Sequence, residues 1–285
     1  MAYLEARALS KSFASPGGMR HVLKDVTLDV EQGEFVSIVG TMGSGKSTLL
    51  SLLAGLTLPD AGTIVVDGTP VTGIRDDAAF VFQNYSLLPW FSAIENVRLG
   101  VEAAFPDATP AAQRARAREA LERVGLGNAL DRKPRQLSGG MRQRVSLARA
   151  FATGPRVLYL DEPFGALDAL TRETLQTDLA QLCAERDRPV TTVMITNNVE
   201  EAILLSDRII PIIPGPPACL GPSIAVELSR PRTLAQLAHD EQATHVRAHV
   251  IAALTAAMPR RGRPASPDTT AALRTAEPVK ATGQA

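Results

Sequence analysis

Hydrophobic positions along this chain follow two periods that take turns. Short apolar or alternating runs at Val26–Val30, Phe35–Val39 and Thr63–Val66 are bounded by turn signals at Gln32-Gly33, Asp60-Ala61-Gly62 and Asp67-Gly68, and they predict strands. Further strands are predicted at Ala79–Phe82, Val157–Leu160, Val190–Ile195 and Arg208–Ile213. Between them lie helix-like runs. Leu49–Leu53 is one; Ala111–Val124, rich in Ala, Arg, Glu and Leu, stops at Gly125; a third runs from Gly140 to Ala152 and ends at Gly154-Pro155; a fourth spans Leu170–Ala184. Strands alternating with helices favour a mostly parallel sheet covered on both faces. Beyond Pro231 the pattern weakens: 234–257 reads as one helix, whole or interrupted, and the Pro-, Ala- and Arg-rich stretch 258–285 as a disordered tail. There are no internal repeats.

Composition narrows the classes. With 285 residues, 45% hydrophobic and 21% charged, the chain has room for one large α/β domain or two smaller ones. Its formal charge is zero, and residues 259–285 carry five basic and two acidic groups, which leaves the body at −3. No basic face for nucleic acid is implied. Cys183 and Cys219 are far apart and outside any C-x-x-C spacing, so neither a zinc site nor a disulfide framework is indicated, and a reducing cytosol fits. The N-terminus has no apolar leader and no run reaches the length of a membrane span. Work at a membrane would therefore go through a partner.

The chemistry begins at Gly40-Thr41-Met42-Gly43-Ser44-Gly45-Lys46-Ser47-Thr48, between the apolar run 35–39 and a helix-like run. A triphosphate needs several donors converging on a small anion with no side chain blocking the backbone. Glycines at 40, 43 and 45 permit that approach, and the following helix N-terminus adds donors and partial positive charge. Lys46 is placed to reach the β- and γ-phosphates of ATP, and the Ser47 hydroxyl to ligate Mg²⁺. Downstream, Arg156-Val157-Leu158-Tyr159-Leu160-Asp161-Glu162-Pro163 is a buried strand that delivers two carboxylates at its carboxyl edge. Asp161 is suited to hold Mg²⁺ through water, and Glu162 to polarise an attacking water.

Leu137-Ser138-Gly139-Gly140-Met141-Arg142-Gln143-Arg144 narrows the reading further. This octet resembles the signature motif of the ABC-type ATPases, and the resemblance covers roughly residues 3–232. It implies an α/β fold of the P-loop NTPase type: a mainly parallel sheet core, an antiparallel β subdomain and a helical signature subdomain at about 84–153. The ATPase domain would span 1–232, with a helical extension at 233–257. Ser138, Gly139, Gly140 and Gln143 would act on ATP held by the phosphate loop of a second ATPase subunit, in a head-to-tail dimer. Phe13 corresponds to the aromatic that stacks on adenine, and Gln83 to the glutamine that senses Mg²⁺ and the lytic water. Asn84–Trp90 is similar to the stretch that docks transmembrane permease subunits in the nitrate, sulfonate and taurine importer group. Gly165-Ala166-Leu167-Asp168 corresponds to the loop crossing the dimer interface. A periplasmic or lipoprotein solute-binding protein is an indirect partner in that group, and the ATPase lies peripherally on the cytoplasmic side of the inner membrane.

One position departs from the family pattern. Where the family carries a switch histidine, this chain has Asn197, in Ile195-Thr196-Asn197-Asn198-Val199-Glu200-Glu201-Ala202. An asparagine amide donates a hydrogen bond, and it carries no proton near neutral pH. Two functional alternatives therefore stand beside an importer ATPase for nitrate or a related anion: an ATP-binding regulatory partner with little hydrolysis, and a soluble ABC ATPase outside transport. The second usually brings a coiled-coil insert, zinc cysteines or tandem units, none of which is in the sequence. His239, His245 and His249 have partly helical spacing without the intervening carboxylate of H-E-x-x-H, and are read as surface histidines.

Overall fold

The computed structural model describes residues 2–184, 189–215 and 217–256. Two long strands, β1 (Leu4–Ser15) and β2 (Gly18–Val30), precede β3 (Phe35–Val39) and helix α1 (Lys46–Leu53). Then come β4 (Ala61–Val66), β5 (Thr69–Pro70) and β6 (Ala78–Val81), followed by α2 (Ala93–Ala104), α3 (Pro110–Arg123) and α4 (Gly139–Ala152). The alternation resumes with β7 (Val157–Asp161), α5 (Ala169–Ala184), β8 (Thr191–Thr196), α6 (Val199–Leu205) and β9 (Arg208–Ile213). The short strands β10 (Cys219–Leu220) and β11 (Ile224–Ala225) and the helices α7 (Leu234–Leu237) and α8 (Glu241–Ala256) close the described chain.

The strands form two sheets. One is antiparallel, in the order β2-β1-β4-β5; the other runs β10-β9-β3-β8-β7-β6, its five strands from β9 to β6 parallel, with β10 and β11 antiparallel on β9. Every residue of β3 and β8 is buried. Alternate side chains go to opposite cores: Val36, Ile38, Val193 and Ile195 pack with α1 and the antiparallel sheet, while Phe35, Val39, Met194 and Leu160 pack with α2–α6 and α8. A strand covered on both faces has no solvent side to mark with polar residues, which is why these runs are continuously apolar. Tyr159 is buried with its hydroxyl donating to Leu53 O at 2.9 Å, as a buried phenol requires.

The three helices between β6 and β7 start where the local sequence tells them to. Ser92 and Glu95 make a reciprocal capping box for α2, Thr109 caps α3 with Pro110 in its first turn, and Ser138 accepts from Met141 N–H at 3.2 Å to cap α4. Their inner faces meet through Val97, Val101, Leu121 and Val145.

Among the elements not anticipated, two are long; the others are the short α6, β5, β10 and β11. The alternating, charged run 4–15 is strand β1, and residues 93–104 are helix α2. The helix expected from 234 is interrupted within the described residues: α7 ends at its C-cap Ala238, and Asp240 restarts the helix as α8 by accepting from Ala243 N–H at 2.8 Å. Helix α8 is then tied to α6 by a two-pronged contact of Arg247 on Glu200, at 2.5 and 2.9 Å. Arg232 donates to Ile203 O and Ser206 O at the end of α6, and its burial pushes its pKa down to about 10. The tail read as disordered, 258–285, lies outside the described residues.

Candidate functional site

Four adjacent strands of the parallel sheet, in the order β3-β8-β7-β6, end side by side and release the four candidate segments at one carboxyl edge. β3 gives the loop starting at Gly40, β8 gives Asn197, β7 gives Asp161 and Glu162, and β6 gives Gln83. Register makes this adjacency specific. Val39 pairs with Thr196, Asp161 with Ile195, and the ladder runs one step further as Gly40 N–H donates to Thr196 O (3.3 Å) and Glu162 N–H to Ile195 O (3.0 Å). This is the edge at which open parallel sheets bind ligands.

The loop has the backbone of a phosphate cradle. Gly43 and Gly45 take φ 77° and 92°, which no L side chain adopts cheaply, and Leu49 N–H on Gly45 O (2.9 Å) starts α1. Gly40 is required for a different reason, since a Cβ there would run into Ile212. Lys46 is only 4% exposed, and its ammonium donates to Gly40 O and Thr41 O, both at 3.0 Å. It also lies 3.4 Å from Glu162 Oε1. Thr41 and Met42 are exposed at the loop tip, Ser44 is buried and Thr48 half-buried on α1.

Glu162 is the junction of the site. Its other oxygen, Oε2, accepts from Gln83 Nε2 at 3.3 Å, so loop lysine, glutamine and glutamate form one chain of contacts. Its backbone sits at φ 43°, a left-handed conformation for a non-glycine residue, of the kind that clusters at functional sites. Beside it, Ser47 donates to Asp161 Oδ1 at 3.3 Å, and burial foremost raises the Asp161 pKa against the effect of that hydrogen bond. A desolvated carboxylate next to a hydroxyl would gain from a hard cation, and Ser47 and Asp161, with Gln83 on the neighbouring strand end, carry oxygen atoms of the kind that Mg²⁺ takes.

The remaining predicted residues are dispersed. Phe13 lies on β1 opposite Arg20, 43% exposed, with the Lys11 ammonium 5.6 Å from its ring. Ser138 is exposed and Gly139 half-buried, but Gly140 is buried because Thr171 of α5 occupies the place of its Cβ. Gln143 has no exposed surface, and neither atom of its amide has a protein hydrogen-bond partner. Asp168 accepts from Thr171 N–H at 3.0 Å, which holds its carboxyl below the usual range. Among the described residues no group of three or more His, Cys, Asp and Glu could hold a metal, and no helix is long and apolar enough to cross a membrane.

Sequence reading missed Glu201. It is buried, accepts from the Thr196 hydroxyl at 2.7 Å and lies 3.8 Å from Arg172, so it joins the residue before Asn197 to α5. Burial raises its pKa, with the Thr196 bond and Arg172 opposing. The folded state therefore holds this proton more tightly than the unfolded chain, and the ionised form weighs against folding above the raised pKa. Glu201→Gln should melt at or above the wild-type temperature at neutral pH. The difference should shrink as pH falls through the raised pKa toward the ordinary glutamate range, where both chains are neutral at 201. Thermal melts across that window check it; a variant uniformly less stable at all pH values would contradict it.

A half-parallel, half-antiparallel α/β fold with a phosphate loop, two strand-end carboxylates and a capped Ser-Gly-Gly helix start defines a P-loop nucleotide-binding cassette. The ABC transporter family profile matches residues 23–165. The chain is 43% identical over 249 residues to the nitrate transport protein NasD of Klebsiella oxytoca, covering 87% of this chain and 94% of that one. It is 43% identical to the nitrate import ATP-binding protein NrtD of Synechococcus elongatus, covering 87% and 90%. It is 45% identical over 250 residues to the bicarbonate transport ATP-binding protein CmpC of Synechococcus elongatus, of which it spans 37%. The dimeric post-hydrolysis structure of the ATP-binding cassette MJ0796 bound to ADP and Pi superposes with a TM-score of 0.71 at 32% identity, over 79% of this chain and all of that one. The chain belongs to the ABC transporter family.

Proposed function

We propose that this chain binds and hydrolyses ATP as the energising subunit of an importer for a small oxyanion, nitrate foremost. The observation that carries the reading is the adjacency of β3, β8, β7 and β6, which brings Lys46, Asn197, Glu162 and Gln83 to one edge. Glu162 Oε1 and Oε2 are held from two sides by Lys46 and Gln83, which orients the carboxylate for a water on the phosphate side. The loop amides and Lys46 take the phosphates, and Phe13 the adenine. Ser47, Asp161 and Gln83 would hold Mg²⁺, which when bound neutralises phosphate charge. Ser138 and Gly139, with Asp168, would serve the nucleotide of a second ATPase subunit across a dimer interface, while Gly140 and Gln143, expected to join them, are buried and would support that helix start from within α4. Closing and reopening of that dimer would be passed to transmembrane permease subunits through the exposed stretch ending at Trp90, with the chain peripheral on the cytoplasmic face.

The anion class rests on relatives whose names carry nitrate and bicarbonate. Deleting the chain from its host should abolish high-affinity nitrate uptake, and wild-type chain, but not Glu162→Gln, should restore it. Loss of bicarbonate uptake instead would reassign the anion; loss of neither would reject the transport reading. Asn197 favours a second reading, in which the chain is an attenuated partner of a different, complete ATPase subunit.

A further inference from the structure

Between β6 and α2 the chain adopts a turn that its own residues disfavour. Tyr85 and Ser86 have φ 60° and 47°, and neither is glycine or asparagine. Ser86 N–H donates to Asn84 O at 2.6 Å, closing a three-residue turn of the strained hand around Tyr85. Such a conformation persists only where its surroundings over-determine it. One guanidinium does so here: Arg149 of α4 donates from Nη1 to Ser86 O (2.7 Å) and from Nη2 to Tyr85 O (2.9 Å). Its stem crosses α2 at Gly100, where a Cβ would lie 3.1 Å from Arg149 Cγ. The residues after the turn are clamped as well. Fully buried Asn96 accepts from Leu88 N–H (2.8 Å) and donates to Ser92 O (2.9 Å). The Tyr85 ring returns to the other end of α4, 5.4 Å from the Arg142 guanidinium, with its hydroxyl 3.5 Å from where a Gly139 Cβ would sit.

We propose that Arg149 is a positioning residue that locks Tyr85–Ser86 in this turn, so that Gln83, the exposed segment ending at Trp90 and the Ser138–Gly139 loop move as one body with α4. The proposal rests on the ATPase reading above. An unclamped turn would relax to ordinary negative φ, and load on Trp90 would be absorbed in the loop. With the fork in place, displacement reaches Gln83 from one side and, through Tyr85, Gly139 from the other.

Trp90 is the chain's single tryptophan and is 62% exposed, so its emission reports on this segment alone. The full chain is studied as wild type, Arg149→Met and Tyr85→Ala, first by Trp90 anisotropy decay without nucleotide and then by Trp90 emission on titration with Mg-ATP. Calorimetry measures ATP binding in parallel. Arg149→Met should increase local Trp90 motion and, while binding ATP like wild type, lose the ATP-induced emission change roughly fivefold or more. Tyr85→Ala keeps both carbonyl contacts, so it should leave the anisotropy unchanged and reduce only the ATP-induced change; it also decides the coupling if Arg149→Met does not fold. Wild-type anisotropy and ATP response in Arg149→Met, or a wild-type ATP response in Tyr85→Ala, would overturn the proposal. A wild-type chain that binds no ATP in the calorimeter would instead overturn the ATPase reading and with it the coupling, while the anisotropy still decides the clamp.

Discussion

Replacing Glu162 by glutamine should reduce ATP turnover by roughly two to four orders of magnitude, the usual contribution of a positioned general base, while ATP remains bound. The amide is nearly isosteric, so the backbone at φ 43° and the contact with Gln83 are disturbed little. What disappears is the negative charge that polarises water and accepts its proton. Lys46 loses a charged neighbour at 3.4 Å and keeps its carbonyl acceptors Gly40 and Thr41, so phosphate faces less competition for the ammonium and ATP affinity should hold or rise. Phosphate release and equilibrium ATP binding, measured on the same preparation, separate the two effects. Wild-type turnover in Glu162→Gln would remove Glu162 from the chemistry. Loss of binding together with turnover would instead make it a structural partner of Lys46.

The segments that meet at the candidate site were readable in the sequence wherever their requirement is local. A phosphate loop needs glycines at fixed spacing because the backbone itself is the ligand, and Gly43 and Gly45 do take the positive φ that this spacing implies. The strands of the parallel sheet were readable because burial on both faces forces continuous apolar runs. Strand β1 was not, because it carries Glu5, Arg7 and Lys11 on a half-exposed sheet and never shows such a run. Helix α2 was not read either, and the close approach of Arg149 at its Gly100, where a Cβ would lie 3.1 Å from Arg149 Cγ, is a contact that only the fold creates. The contacts that hold the site together are non-local: Arg149 reaches Tyr85 across 64 positions and Arg247 reaches Glu200 across 47. Nothing in Val199-Glu200-Glu201-Ala202 distinguishes the glutamate that is buried on Thr196 from its neighbour that meets α8; only the packing of α5, α6 and α8 assigns them.

Installing histidine at 197 should raise hydrolysis roughly ten- to hundredfold, the effect of recovering one charge-assisted hydrogen bond, about 1.5–3 kcal/mol, in the transition state. The scaffold is set for such a test. Asn197 is exposed at the end of β8, and both neighbours are fixed independently of it: Thr196 by its hydroxyl on Glu201 at 2.7 Å, and Asn198 by capping α6 with an acceptor for Glu200 N–H at 2.9 Å. Asn197→His therefore changes what the side chain offers and not where it stands. The amide can donate to a γ-phosphate oxygen, but only imidazole titrates near neutral pH, so the gain should bring an inflection near pH 6.5 that the wild-type rate profile lacks. Glu162→Gln supplies the blank. A rise with the new inflection would describe a working site attenuated at one residue, able to drive transport alone. Turnover at the blank in both forms, with ATP still bound, would describe a chain whose catalysis depends on a second, different subunit, and would move the importer's hydrolytic step to that partner.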